Sequence, residues 1–389
     1  MTPLVGILFL FIIAYLGSYI HEKYRNSSGW LKFVLYSGSL NLIVGYLIGP
    51  NAFGLLSGEI ISNLYVLVGL VLGWAGFLIG LQVNRAQLKR FQTRYYLFSG
   101  LNFILVFVGM SLLIRIFLYV SDLSLSPSLI FLLAVLGSVS SPILVGLLRQ
   151  QLSLRGAGIH LLQFSVALDN IFSVIFFGLL LLLVQQETYE HVLFVWLIPG
   201  SLLFSVIMSW LFIKISRMTD SVHQFLLILI GFLLILVGVA LSLNVSVLLI
   251  AFVFGVALTN MPVETKKLYQ GIAQAEKPLY YLMMVFIGAS IHHISIDLFF
   301  VALAFMVVRI ILKFFAGNIA RRAFSFNRQI NSGIGLPQIG MGGIALAMVL
   351  DFHLSVSNIL SDSVMFIVSV MAIGNAILST AVTKKNISG

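Results

Sequence analysis

Asp169 and Asn170 stand inside the run QFSVALDNIFSVIFFGLLLLLV, residues 163–184, an otherwise almost wholly lipid-soluble stretch. A second run, RIILKFF, carries Arg309 and Lys313 four residues apart, so both project from one face of a helix. An ionised side chain at a bilayer centre costs roughly 2.5–3.5 kcal/mol even on the lenient insertion scale, so each must face protein or a water-filled cavity. Asp169 and Asp362 are the two acids inside apolar spans, and charge balance pairs Asp169 with Lys313, with Arg309 one turn away. Lys313 is eight residues from Arg321, too deep for its stem to lift the ammonium into water easily. The chemistry such a group offers is exchange. A carboxylate holds a proton or a monovalent cation but not both, while the amide of Asn170 lends a carbonyl oxygen and cannot ionise. Two blander readings stand beside this one: Asn170 as polar glue between helices, and the ion pair as a device that only fixes packing.

Two interruptions of helix periodicity accompany these charges. LAVLGSVSSPILVGLL places Ser140, Ser141 and Pro142 after Gly137, and GIGLPQIGMGGIAL sets Pro337 and Gln338 among Gly333, Gly335, Gly340, Gly342 and Gly343. Proline removes a backbone donor and clashes with the preceding turn, which frees carbonyls in mid-membrane. Either one alone reads as a harmless kink, since Gly and Pro are common in membrane helices. Together they lie seven spans apart, and an odd offset turns one copy upside down relative to the other. Paired interruptions in two inverted halves point to a binding site at the midplane, where half-helix ends present partial charges beside the carboxylate.

The elements that must hold these residues are membrane helices. The 389 residues are 60% hydrophobic and only 9% charged, with mean hydropathy +1.11, whereas a soluble chain carries about a quarter charged residues. Apolar runs fall at about 3–20, 33–49, 61–83, 95–120, 128–149, 157–185, 191–216, 221–242, 244–260, 278–295, 298–320, 331–350 and 357–383, which gives thirteen spans. The first reads as a span and not a signal peptide, having no basic start and no small-residue cleavage site. Nineteen of the 22 Lys and Arg fall in loops of one side, among them Lys89, Arg90, Arg217, Lys266 and Arg321. Glu59, Asp122, Glu187, Glu190, Asp297 and Asp351 fall on the other. The positive-inside rule then puts the N-terminus outside and the C-terminus in the cytoplasm, so the net charge of +10 reports topology and not nucleic-acid binding. Splitting 221–260 into two spans keeps Arg321, Arg322 and Arg328 on the basic side.

Enzyme chemistry finds little support. The chain has no cysteine, and neither His160 nor the serines have a nucleophile–base partner that periodicity can place. His292 and His293, with Asp297 nearby, invite a metal reading, but adjacent residues of a helix point to different sides. The 32 Phe read as lipid-facing and core filler, and no cofactor or resident metal is expected.

At this point the chain resembles the cation/proton antiporter superfamily, on the branch of bacterial sodium/proton and potassium-efflux antiporters. The likeness rests on the order and spacing of GYLIGPNAFGLL, GLVLGWAGFLIGLQVNRAQLKR, GSVSSPILVGLL, VALSLNVSVLLIAFVFGVAL, VFIGASIHHISIDL and LPQIGMGGIALAM, and it runs over essentially the whole length. The resemblance implies an all-α polytopic fold of about thirteen transmembrane helices, built from inverted repeats in which two unwound helices cross. It implies one transmembrane domain over residues 1–389, with dimerisation helices in 33–83 and the halves of a mobile core in 95–185 and 278–383. It further implies homodimers in a bacterial plasma membrane. The working carboxylate of the family lies in the sixth span as Asp-Asp, Asn-Asp or Gln-Asp, with the second position carrying the ion. Here the order is Asp169–Asn170, so an amide replaces that carboxylate unless the alignment slips by one residue. Lys313 lies near the family's intramembrane lysine.

The expectation is a secondary transporter that exchanges Na+ or K+ for protons by alternating access, with no soluble regulatory domain. Asp169 would bind in alternation, helped by Asn170 and the segment Ser140, Ser141 and Pro142, while Lys313 and Arg309 balance charge and Pro337, Gln338 and Gly342 form the second unwound helix. Any nucleotide control would come from a separate cytoplasmic subunit. Two alternatives are a non-transporting sensor or partner subunit of the same fold, and an organic-anion symporter on a related fold.

Overall fold

The computed structural model describes residues 15, 17, 19, 35–56, 58–120, 126–151, 156–185, 191–219, 221–263, 265–292, 294–326, 333–356 and 359–387. The expected first span, 3–20, lies outside the described residues apart from three positions, as does His293. All regular structure among the described residues is helical. The helices are α1 (Ser39–Ile48), α2 (Gly58–Asn63), α3 (Tyr65–Leu81), α4 (Arg85–Leu88) and α5 (Thr93–Val120). There follow α6 (Pro127–Ser138), α7 (Pro142–Gln151), α8 (Ala157–Gln185), α9 (His191–Ser216) and α10 (Val222–Ser242). The chain continues through α11 (Val247–Asn260), α12 (Thr265–Ala289) and α13 (Ile296–Ala323), then a 3-10 turn (Leu336–Ile339), α14 (Gly343–Ser355) and α15 (Ile359–Ile387).

Sequence sets the ends of several of these. Ser126, Ser221, Ser246 and Ser295 each cap a helix start by accepting a backbone N–H with the side chain, and Pro127 occupies the first turn of α6. α13 opens with Asp297 and closes with Arg321 and Arg322, charges that oppose the helix dipole at both ends. Its 28 residues extend about 42 Å at 1.5 Å per residue, enough to cross a bilayer with room to tilt. Eight helical segments are long and apolar enough to span a membrane. The three shorter apolar helices α1, α3 and α11, together with α12, bring the spans among the described residues to twelve of the thirteen expected.

Two boundaries differ from the sequence reading. The tenth span was expected at 278–295, but α12 begins at Thr265 and runs through Pro278. Its first half, TKKLYQGIAQAEK, is too polar for hydropathy to register. Asp351, expected in a loop, lies inside α14 and is 1% exposed.

The helices pack in two groups. In the first, α1 lies on α12, while α3 takes α10, α11 and α12, with α9 against α10 and α11. In the second, α5 packs on α6, α8 and α13, and α15 packs on α13 and α14. Residues 278–289 pack chiefly on α1 and also reach α14, where a Cβ on Gly343 would meet Tyr280 and Met284. Glycine is the reason: a Cβ on Gly45 would run into the Val285 carbonyl, and one on Gly288 into the Leu42 carbonyl. Small residues on both helices let backbones touch, the usual packing device where lipid offers no hydrophobic drive. Between the groups runs a seam where α8 and α14 meet α3 and α11, and α12 meets α14. The apolar core is continuous across it.

Candidate functional site

Both predicted interruptions are real, and they touch. α6 ends at Ser138 and α7 starts at Pro142, leaving residues 139–141 non-helical; the 3-10 turn ends at Ile339 and α14 starts at Gly343, leaving 340–342 non-helical. Pro142 opens α7 at a position where its missing N–H costs nothing. The Ser141 N–H donates to the Gly340 carbonyl at 2.8 Å, stitching one break to the other. Gly342 must be small here, because an added Cβ would lie 2.7 Å from Ser141 Oγ. Pro337 and Gln338 fall in the 3-10 turn and are buried.

The charged residues converge on this crossing. Lys313 Nζ lies 2.9 Å from Asp169 Oδ2, with both side chains fully buried. Lys313 also donates to the Ser138 carbonyl and to Ser140 Oγ, each at 2.8 Å. Ser140 in turn donates to Asp169 Oδ2 at 2.8 Å. The end of α6, the first break, α8 and α13 are thereby joined through three side chains.

Arg309 is fully buried one turn from Lys313 on α13. It makes no hydrogen bond to Asp169. Its guanidinium instead donates to the Gly137 carbonyl at 2.8 Å, the Gln338 carbonyl at 3.4 Å, and the Val139 and Ile339 carbonyls. Arg309 and Lys313 thus meet carbonyls on the edges of both breaks, those of Gly137, Ser138, Val139, Gln338 and Ile339. A planar fork of donors suits this task, since it reaches carbonyls of both broken helices at once.

Asp169 Oδ1 has no hydrogen-bond partner, nor does either polar atom of Asn170, although both residues are fully buried. Two serines that sequence reasoning missed extend this pattern. Ser165 and Ser173 flank Asp169 at i−4 and i+4 on α8, are fully buried, and have hydroxyls without partners. These oxygens form a row along one helical face without the partners that buried polar groups usually have. The spacing was visible in the sequence, where helical periodicity puts 165, 169 and 173 in one stripe. Asn102 was also missed; its amide donates to Gln338 Oε1 at 2.8 Å. Away from this site, His292 and His353 rings stand 6.4 Å apart and His353 contacts Asp362 at 3.2 Å. Among the described residues no group of three His, Asp or Glu is placed to hold a metal. The side chain of His160 is exposed.

The sequence matches the family described as "Sodium/hydrogen exchanger, transmembrane" over residues 4–385. The chain belongs to that family. Its members are transporters and not enzymes. The exchanger fold is seen again in the sodium proton antiporter MjNhaP1 from Methanocaldococcus jannaschii, in a structure at pH 8 with TM-score 0.66 and 15% identity, covering 100% of this chain and 98% of that one. A second, electron-microscopy structure of the same protein gives TM-score 0.65 at 15% identity, covering 100% and 97%. No curated relative matches the chain.

Proposed function

We propose that this exchanger moves Na+ or K+ against protons across a bacterial plasma membrane, with Asp169 as the group that binds each in turn. The observation that carries the reading is the fully buried Asp169–Lys313 pair at the crossing of two broken helices, with one carboxylate oxygen left unmet. Stability does not account for such a pair. Removing two charges from water costs several kcal/mol per ion, and apolar replacements of buried pairs are often neutral or about 1–4 kcal/mol more stable. A carboxylate kept at that cost, beside unmet oxygens, is suited to a passenger.

The incoming cation takes Asp169 Oδ1 and draws on the hydroxyls of Ser165 and Ser173 and the amide oxygen of Asn170. It competes with the Lys313 ammonium for one negative charge. Lys313 can lean on the Ser138 carbonyl and the Ser140 hydroxyl, which it already contacts. A proton arriving at Asp169 removes the charge that holds the cation, and the cation leaves. The group of α5–α8 and α13–α15 rocks as a core against the group of α1, α3 and α9–α12, which pairs the chain into a homodimer. The basic loops face the cytoplasm.

The test is proton movement in proteoliposomes under a panel of Na+, K+, Li+ and Rb+ gradients. Wild type acidifies or alkalinises the lumen only with its cation, and Asp169→Asn abolishes the signal. Undiminished exchange by that variant removes Asp169 from the role. The order Asp169–Asn170 motivates a second reading, a subunit that keeps the fold and moves no ion; silence under every cation, restored by Asn170→Asp, would favour it.

A further inference from the structure

Asp351 takes no part in the exchange site, yet it is buried and the hydrogen bonds of its carboxylate all leave its own helix group. Its Oδ2 accepts from the Ser246 hydroxyl at 2.7 Å and the Leu248 N–H at 3.2 Å, and its Oδ1 accepts from the Val247 N–H at 3.3 Å. Ser246 Oγ accepts from the Leu249 N–H at 3.1 Å. The first three N–H groups of α11 are therefore all met by these two side chains, each about 1% exposed. The positive end of the α11 dipole faces the carboxylate.

The two partners belong to opposite sides of the seam. α11 is clamped on α3, where a Cβ on Gly76 would meet the Leu248 carbonyl and one on Gly80 the Phe252 carbonyl. α14, which carries Asp351, packs on α15. The bonds lie at the end of the seam away from the Lys- and Arg-rich loops, since α10 runs from the Arg217 side to the turn before Ser246. On the basic side a shallow surface groove, lined by Val83, Arg85, Leu88, Phe91, Tyr96 and Asn260 among others, lies where the ends of α3 and α11 approach the start of α5. The hydrogen bonds from α11 to α14 thus bolt the seam at its far end.

We infer that Asp351 is the latch of the closed end: its carboxylate holds α11 to α14 while the site faces the basic side, and it lets go in every cycle to admit water from the other. A buried carboxylate without a cationic partner is tolerated only while these donors face it, so parting the seam forces water in and keeps it there until the donors return. This rests on the rocking motion of the proposed function, but its test reads accessibility and not flux.

The chain has no cysteine, so single reporters are clean. Val245→Cys lies beside the latch, 5% exposed in its closed form, and Leu88→Cys lies in the groove on the basic side between the ends of α3 and α11 and the start of α5. Each is labelled with a membrane-impermeant maleimide in vesicles of defined orientation, with and without Asp351→Asn. Release of the latch should speed labelling at 245 severalfold and slow it at 88, a reciprocal change that general loosening does not produce. Ser246→Ala should act in the same direction, and the double variant should add little. Unchanged rates at 245, or faster rates at both positions, overturn the proposal. Should Asp351→Asn fail to assemble, Ser246→Ala decides, because it leaves the carboxylate and the backbone donors in place. A chain that exchanges no ion still answers this experiment.

Discussion

Lys313 Nζ lies 2.9 Å from Asp169 Oδ2, and the Ser140 hydroxyl closes a triangle by bonding to both. Both side chains are fully buried, so each charge is compensated chiefly by the other. Lys313→Met leaves a buried carboxylate without its cation and should cost about 3–5 kcal/mol. Thermal melting in detergent checks this. In Asp169→Asn/Lys313→Met most of the loss should return, because no charge remains buried; two losses that simply add would show the pair to be uncoupled.

Arg309 joins the two breaks through four carbonyls, those of Gly137, Val139, Gln338 and Ile339. Lysine has three donors and no fork, so Arg309→Lys should leave at least one buried carbonyl unmet, at about 1–3 kcal/mol. The variant should melt lower than wild type while still pairing Asp169 with Lys313. An unchanged melting curve would mean that the breaks hold themselves.

Ser165 and Ser173 spend no hydrogen bond on the fold. Removing their hydroxyls should therefore leave melting unchanged or slightly raised, since an unmet buried polar group is lost. The same variants, Ser165→Ala and Ser173→Ala, should raise the apparent KM for the transported cation in proteoliposomes. If KM does not move, neither hydroxyl touches the cation.

Gly45 and Gly100 make a matched pair for the packing argument. A Cβ at Gly45 collides with the Val285 backbone, while at Gly100 it meets nothing within 4 Å. Gly45→Ala should destabilise the α1–α12 contact by about 1–3 kcal/mol, as overpacking does. Gly100→Ala should be neutral or gain up to about 1 kcal/mol from helix propensity. Equal effects on melting would sink the close-approach account.

The sequence carried the membrane class, the spans among the described residues and both helix breaks, because each depends on local composition. A run of apolar residues long enough for the bilayer needs no partner to be recognised, and Pro142 and Pro337 mark the breaks because proline is tolerated only in the first turn of a helix, where both lie. The rarity of acids in the spans also made Lys313 the natural counterpart of Asp169, by charge balance alone. Where composition misled, it did so for a local reason: the polar half of α12 and the position of Asp351 at a span end looked like loop.

Contacts between distant segments were not legible. Nothing in the local sequence of Arg309 says that its donors go to carbonyls of α6 and the 3-10 turn and not to Asp169. Nor does the pattern around Asp351 say that the start of α11 faces it. Each depends on how helices are turned about their axes and brought together, which is set by the sum of many packing contacts over the seam. Sequence therefore determined which charges are sunk in the membrane and where the helices break; the tertiary structure alone decided which donors those charges meet, because hydrogen bonds are short and directional and no single stretch of chain contains both partners.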